Sequence, residues 1–111
     1  MEYKGKRLTF PLISLIDVFG HRLVAMSFIK GVNALSTLVY GSRNAGKDFE
    51  HKDKDISELL KLVGRKMGLS SLKMYGVEVT GPIDLEVHLV NNKYYVLDSA
   101  RTVCILFICL F

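Results

Sequence analysis

The chain predicts an α+β fold: a mainly antiparallel sheet with one amphipathic helix packed on it. Three observations carry this expectation. β-rich runs fill the first and last thirds, one stretch of helical periodicity separates them, and an Asn-Asn pair between two β-branched and aromatic segments marks a hairpin near the end. At 111 residues the chain is one domain at most. Half of its residues are hydrophobic and 23% are charged, a composition of globular rather than disordered chains.

Residues 12–16 and 23–29 are β-rich runs joined through Asp17-Val18-Phe19-Gly20, and residues 37–40 form a third after Gly31-Val32-Asn33. These three are expected to make an antiparallel set. The helix is predicted over residues 56–67, where Ile56, Leu59, Leu60, Val63 and Met67 recur at helical spacing. Asp55 is the expected N-cap, with Glu58 completing a capping box. Arg65 and Lys66 suit the negative end of the helix dipole, and Gly68 suits a left-handed stop. Strand signals return over residues 72–79, 83–90 and 94–97. No internal repeat, low-complexity tract or linker interrupts the chain.

The formal net charge is +4, but the excess is spread out. Lys52, Lys54, Lys61, Arg65 and Lys66 alternate with Asp48, Glu50, Asp53, Asp55 and Glu58, the pattern of a solvated face and not of a nucleic-acid stripe. Cys104 and Cys109 show no Cys-x-x-Cys spacing and no paired histidines, which gives neither a disulfide framework nor a zinc site. The amino terminus lacks a signal-peptide core, so a cytoplasmic location is the expectation. The terminal apolar run, residues 103–111, is about half the length of a spanning helix, and membrane insertion is not expected.

Gly41-Ser42-Arg43-Asn44-Ala45-Gly46-Lys47 satisfies the first part of a phosphate-binding loop, yet Asp48 stands where Ser or Thr would hold magnesium. A carboxylate there repels a triphosphate, so a glycine-punctuated turn is the better reading. Alternation places Asp84, Glu86 and His88 on one strand face, with Asp98 and Arg101 after the following strand. Such carboxylates and an imidazole suit Mg²⁺ or Mn²⁺. The preferred reading is structural: Glu86 and His88 lie on an open sheet face, and Asp84, Asp98 and Arg101 tie strand ends together. His21 and His51 have no partners at ligand spacing, and no Ser, Cys or Lys sits in a nucleophile setting.

The same residues carry a family resemblance. Residues 82–88, followed by Asn91-Asn92 and by Tyr95, Leu97, Asp98 and Arg101, resemble the end of the Clu domain of clustered-mitochondria proteins. There an Asp-Ile-Glu-x-His stretch precedes a hairpin and a Tyr-x-Leu-Asp-x-x-Arg run. Residues 11–17 with 20–27 resemble that domain's first hairpin, and residues 38–42, containing Tyr40, Gly41 and Ser42, with 45–47 resemble its next strand and loop. Two departures stand out: Asn91-Asn92 replaces the usual Asp-Gly, and Val103 replaces the start of a Phe-Pro-Pro continuation. Because Val-Cys can be encoded by a splice-donor-like GTATGT, residues 103–111 are expected to be a gene-model artefact outside a partial Clu domain of residues 1–102. The other reading of the tail is a genuine buried last strand, and a sequenced transcript retaining its codons refutes the artefact.

The resemblance implies a non-catalytic module in mitochondrial distribution and in binding mRNAs for mitochondrial proteins, acting through a larger Clu-containing chain with mRNA or other proteins as partners. It implies RNA or partner contacts at Arg43, Lys47, Lys61, Arg65 and Lys66, and no cofactor, metal or small-molecule substrate. The family-motif residues Tyr40, Gly41, Ser42, Asp84, Glu86, His88, Tyr95, Asp98 and Arg101 receive no role. The alternative is part or a remnant of a metal-dependent nucleotide-binding enzyme, kinase-like or ATP-grasp-like, using Asp84, Glu86 and Asp98. A third possibility is a fragment that does not fold alone, because the missing continuation exposes sheet edges.

Overall fold

The computed structural model describes residues 2–44, 46–74 and 76–99. Ten strands and one helix are present among these residues: β1 (Glu2–Tyr3), β2 (Lys6–Thr9), β3 (Ile13–Val18), β4 (His21–Met26), β5 (Leu38–Gly41), β6 (Glu50–His51), α1 (Lys54–Met67), β7 (Ser71–Met74), β8 (Val77–Thr80), β9 (Glu86–Val90) and β10 (Lys93–Leu97). The central sheet runs β1-β2-β10-β9-β5-β6. All its pairings are antiparallel except β2 with β10, which is parallel. The α+β class and the antiparallel majority follow the sequence pattern.

The β9–β10 hairpin forms where the Asn-Asn pair predicts it. Asn91 and Asn92 both take positive φ, 48° and 60°, the twist a two-residue hairpin needs and one that asparagine tolerates. The other terminal-third expectations shift. The run over residues 72–79 folds into two strands, β7 and β8, that pair with each other rather than with the central sheet. The strand expected from residue 83 begins at Glu86, after a turn in which Leu85 N–H donates to Pro82 O at 3.1 Å.

The expected antiparallel set of the first third is divided. β3 and β4 pair only with each other, whereas β5 lies inside the central sheet between β9 and β6. The two amino-terminal strands have no apolar alternation to announce them. Lys4 and Gly5 turn the chain at φ 49° and 77°, and β2 gains its place by pairing Leu8 with Tyr94 and Thr9 with Tyr95.

Helix α1 starts at Lys54, two residues earlier than expected, and its N-cap is Asp53 and not Asp55. The Asp53 backbone is extended, and its carboxylate accepts the N–H groups of Asp55 at 3.1 Å and Ile56 at 3.3 Å, two of the amides that a helix start leaves without partners. The same carboxylate receives Lys6 Nζ at 2.8 Å and the Tyr94 hydroxyl at 2.9 Å. Partial burial pushes this carboxyl up, but the bonds from Lys6, Tyr94 and Ile56 outweigh burial and hold it below its usual 3.8. Gly68 closes the helix in the left-handed conformation, as the sequence predicts. Ile56, Leu59 and Leu60 of α1 share one buried cluster with Tyr40, Leu85, Val87 and Val96.

Two predictions follow from this arrangement. Asp53→Asn removes a carboxylate whose pKa is lower folded than unfolded. That stabilisation is complete above the unfolded value near 3.8 and fades as pH falls through the folded value. Thermal melts across the acid range are expected to show a lower plateau for the variant and a shallower acid limb than in the parent chain; identical profiles contradict the role of Asp53. At Gly64 a methyl group would stand 2.5 Å from Thr80 Cγ2. Gly64→Ala gains about 1 kcal/mol of helix propensity but incurs overpacking of about 1–3 kcal/mol. A net loss is expected in a denaturant titration, and a gain contradicts the close approach.

Candidate functional site

The family-motif residues meet along β5 and β9, and their polar groups are used on the fold itself. Tyr40 is buried, which pushes its hydroxyl pKa up, and that hydroxyl accepts the Thr80 backbone N–H at 3.1 Å. Its ring stands edge-on to Phe49 with centroids 4.9 Å apart. The side chain thus links the central sheet to the β7–β8 hairpin. Gly41 follows at φ 120°, and a Cβ there would lie 2.7 Å from Leu85 O. Only glycine allows β5 and the start of β9 to come this close.

Ser42 organises the loop that superficially matches a phosphate-binding motif. Its Oγ accepts from Gly46 N–H at 2.7 Å and Asn44 N–H at 3.3 Å, and donates to Asn44 Oδ1 at 3.0 Å. Asn44 Oδ1 also accepts Asp48 N–H at 3.0 Å. A phosphate cradle needs such amides pointing outward at the ligand, and here side-chain oxygens of the loop hold three of them. The geometry supports the reading of a structured turn.

On β9 the expectation of an open face is overturned. His88 is 1% exposed. The face carrying it is covered by the chain between β4 and β5, where Thr37 O accepts Leu89 N–H at 2.9 Å and Gly31 approaches Val90. Alternation along one strand reveals which residues share a face, but not that a loop closes over it. His88 Nε2 faces Glu86 Oε2 at 2.9 Å and Nδ1 faces Thr37 Oγ1 at 2.9 Å. A carboxylate only accepts, so Nε2 carries the proton toward Glu86. Thr37 Oγ1 also lies 2.8 Å from Asn33 O and accepts Asn33 N–H at 2.9 Å. The chain Glu86–His88–Thr37–Asn33 therefore pins the covering loop to the sheet.

The other acidic residues do not gather there. Asp84 lies in the turn before β9 and not on its strand face, which corrects the period-two expectation. Asp98 is exposed just past β10, in a left-handed conformation at φ 57°. Tyr95 sits opposite His88 in the hairpin register. Arg101, with the expected tie to Asp84 and Asp98, falls outside the described residues, as do Cys104, Cys109 and the rest of 103–111. Among the described residues no group of three or more His, Cys, Asp or Glu side chains is arranged to hold a metal ion. The donor set required by the metal-dependent alternative is therefore not assembled.

The basic residues separate into two kinds. Arg43 is ion-paired with Glu50. Lys61 is held between Glu58 at 2.9 Å and Glu78 at 3.1 Å, whose hydrogen bonds raise its pKa. Lys47, Arg65 and Lys66 are exposed, and none makes an ion pair at bonding distance among the described residues.

Sequence reasoning missed Thr37 and Thr80, whose partners are set by loop conformation and long-range pairing. Tyr40→Phe leaves the Thr80 N–H buried without its acceptor, and a loss of about 1–3 kcal/mol is expected from chemical denaturation. A change within experimental error removes Tyr40 from the link between the two sheets.

Comparison with known families joins these motifs to one frame. Residues 1–106 match the family described as clustered mitochondria, CLU. No curated protein and no solved structure matches the chain. The match covers nearly the whole sequence, including the Tyr40-Gly41-Ser42 turn and the β9–β10 hairpin just described, and so the chain belongs to the clustered-mitochondria (CLU) family.

Proposed function

We propose that the chain is a non-catalytic interaction module of the clustered-mitochondria type, acting in the cytoplasm on mitochondrial distribution and contacting mRNAs for mitochondrial proteins. One observation carries the non-catalytic part: the Tyr40, Ser42, Glu86 and His88 groups that could have served chemistry are engaged in backbone and loop contacts. Membership of a family that is not an enzyme family supports the same reading. No helix among the described residues is long and apolar enough to cross a membrane.

Residues 1–102 are taken as the domain portion and residues 103–111 as a segment apart. We read α1 as packed on the central sheet, a reading supported by the cluster that Ile56, Leu59 and Leu60 share with Tyr40, Val87 and Val96. Its last turn then presents Arg65 and Lys66 to solvent. RNA contact is assigned chiefly to Lys47, Arg65 and Lys66. Arg43 and Lys61 contribute less because carboxylates already neutralise them.

The test is fluorescence anisotropy of a labelled single-stranded RNA over a salt series. The double variant Arg65→Gln/Lys66→Gln is expected to bind several-fold more weakly, with the salt slope reduced by about 0.7 per charge removed. Arg43→Gln is expected to bind like the parent. Absence of RNA binding by the parent chain, or an unchanged slope in the double variant, overturns the RNA assignment.

A further inference from the structure

The β3–β4 hairpin is exposed at all twelve strand positions and pairs with no other strand among the described residues. Directly opposed residues of an antiparallel pair share a face. The register therefore places Ile13 with Met26, Leu15 with Val24 and Asp17 with Arg22 on one face. Ser14 with Ala25, Ile16 with Leu23 and Val18 with His21 occupy the other. The first face is the more open: Ile13, Met26, Leu15 and Val24 are 53%, 59%, 63% and 69% exposed, against 39%, 40% and 53% for Ile16, Val18 and Leu23. A two-stranded ribbon cannot bury its own faces and is marginal in water.

We propose that this face is a self-association surface, on which a second copy of the chain packs about a two-fold axis parallel to the strands. Rotation about that axis turns the ribbon over and exchanges its sides, so β3 of one copy lies over β4 of the other. Ile13 then meets the partner's Met26, and Leu15 meets the partner's Val24. Asp17 meets the partner's Arg22, so the one charged row on the face is complementary to itself. A two-fold axis across the strands would instead press the Asp17–Arg22 pair onto Ile13 and Met26, at a desolvation cost with no compensating charge. Self-complementarity of one patch is what a two-fold contact requires. The face offers four apolar side chains, with Phe28 just beyond β4 at 90% exposed, far fewer than the roughly 20–30 residues a side of a standard stable interface. The dimer is accordingly reversible and concentration-dependent.

Sedimentation velocity of the full chain from low micromolar to a few hundred micromolar tests this. The mass is expected to double across the range, and Val24→Lys, a change at an open position, is expected to remain monomeric with unchanged far-UV circular dichroism. Asp17→Arg and Arg22→Asp alone are each expected to be monomeric, and an equimolar mixture of the two to recover the dimer. The double exchange Asp17→Arg/Arg22→Asp restores both the internal pair and the cross-copy pair, and is expected to dimerise like the parent. A parent chain that stays monomeric assigns the face to another occupant and overturns the proposal. Association unaffected by Val24→Lys, or a mixture that fails to recover the dimer, overturns it equally.

Discussion

The carboxylate of Asp53 is the contact on which the arrangement of the central sheet and helix most depends. It accepts from the first amides of α1, from Lys6 on β2 and from Tyr94 on β10, so three segments distant in sequence share one anion. None of these bonds is individually large. Their convergence matters because a cap fixes where the helix begins, and Lys6 fixes where the amino-terminal strands lie relative to that start. Nearby Lys4 and Lys6 also bond Asp55, whose carboxyl is held down first by Lys4. The charge alternation that reads as a merely solvated face thus conceals one partly buried network at the start of the helix.

The same point explains what the sequence made legible. Helix α1 and the β9–β10 hairpin follow from local patterns, an apolar stripe at helical spacing and a two-residue Asn-Asn turn, and both are present with their expected ends nearly in place. The N-cap moved because Asp53 and Asp55 are equally good caps by residue type. The choice between them is made by the Asp53 backbone and by Lys6 and Tyr94, which are 47 and 41 residues away. The parallel β2–β10 pairing is invisible for the same reason, since neither strand's own pattern names its partner.

At the candidate site, local reading identified the residues better than their roles. Ser42 and Asn44 are prominent in a loop because their oxygens take up amides that the turn leaves unpaired, and the resulting hydrogen bonds occupy the groups a phosphate would need. Glu86 and His88 do share a face, as alternation requires, but Thr37 and the chain from β4 to β5 close it. Asp84 left the face because the strand starts three residues later than the apolar pattern suggests, at Glu86. A buried imidazole with both nitrogens engaged is a means of fixing a loop, and it satisfies polar atoms that burial would otherwise penalise.

The distribution of apolar residues shows why composition alone was an incomplete guide. Half the chain is hydrophobic, yet the buried hydrophobic positions among the described residues are confined to β5, α1, β8, the turn before β9, β9 and β10. Residues 10–28 contribute Phe10, Leu12, Ile13, Leu15, Phe19, Leu23, Val24, Met26 and Phe28 as exposed side chains. Such a surplus cannot be charged to a core that does not contain it. Scattered exposed apolar residues are ordinary on a folded surface, but a continuous run on one ribbon is the signature of a face meant for contact. The chain therefore divides physically into a part whose polar groups are spent on holding the fold and a part whose apolar groups are not. The second part is the surface to which the proposed self-association is assigned.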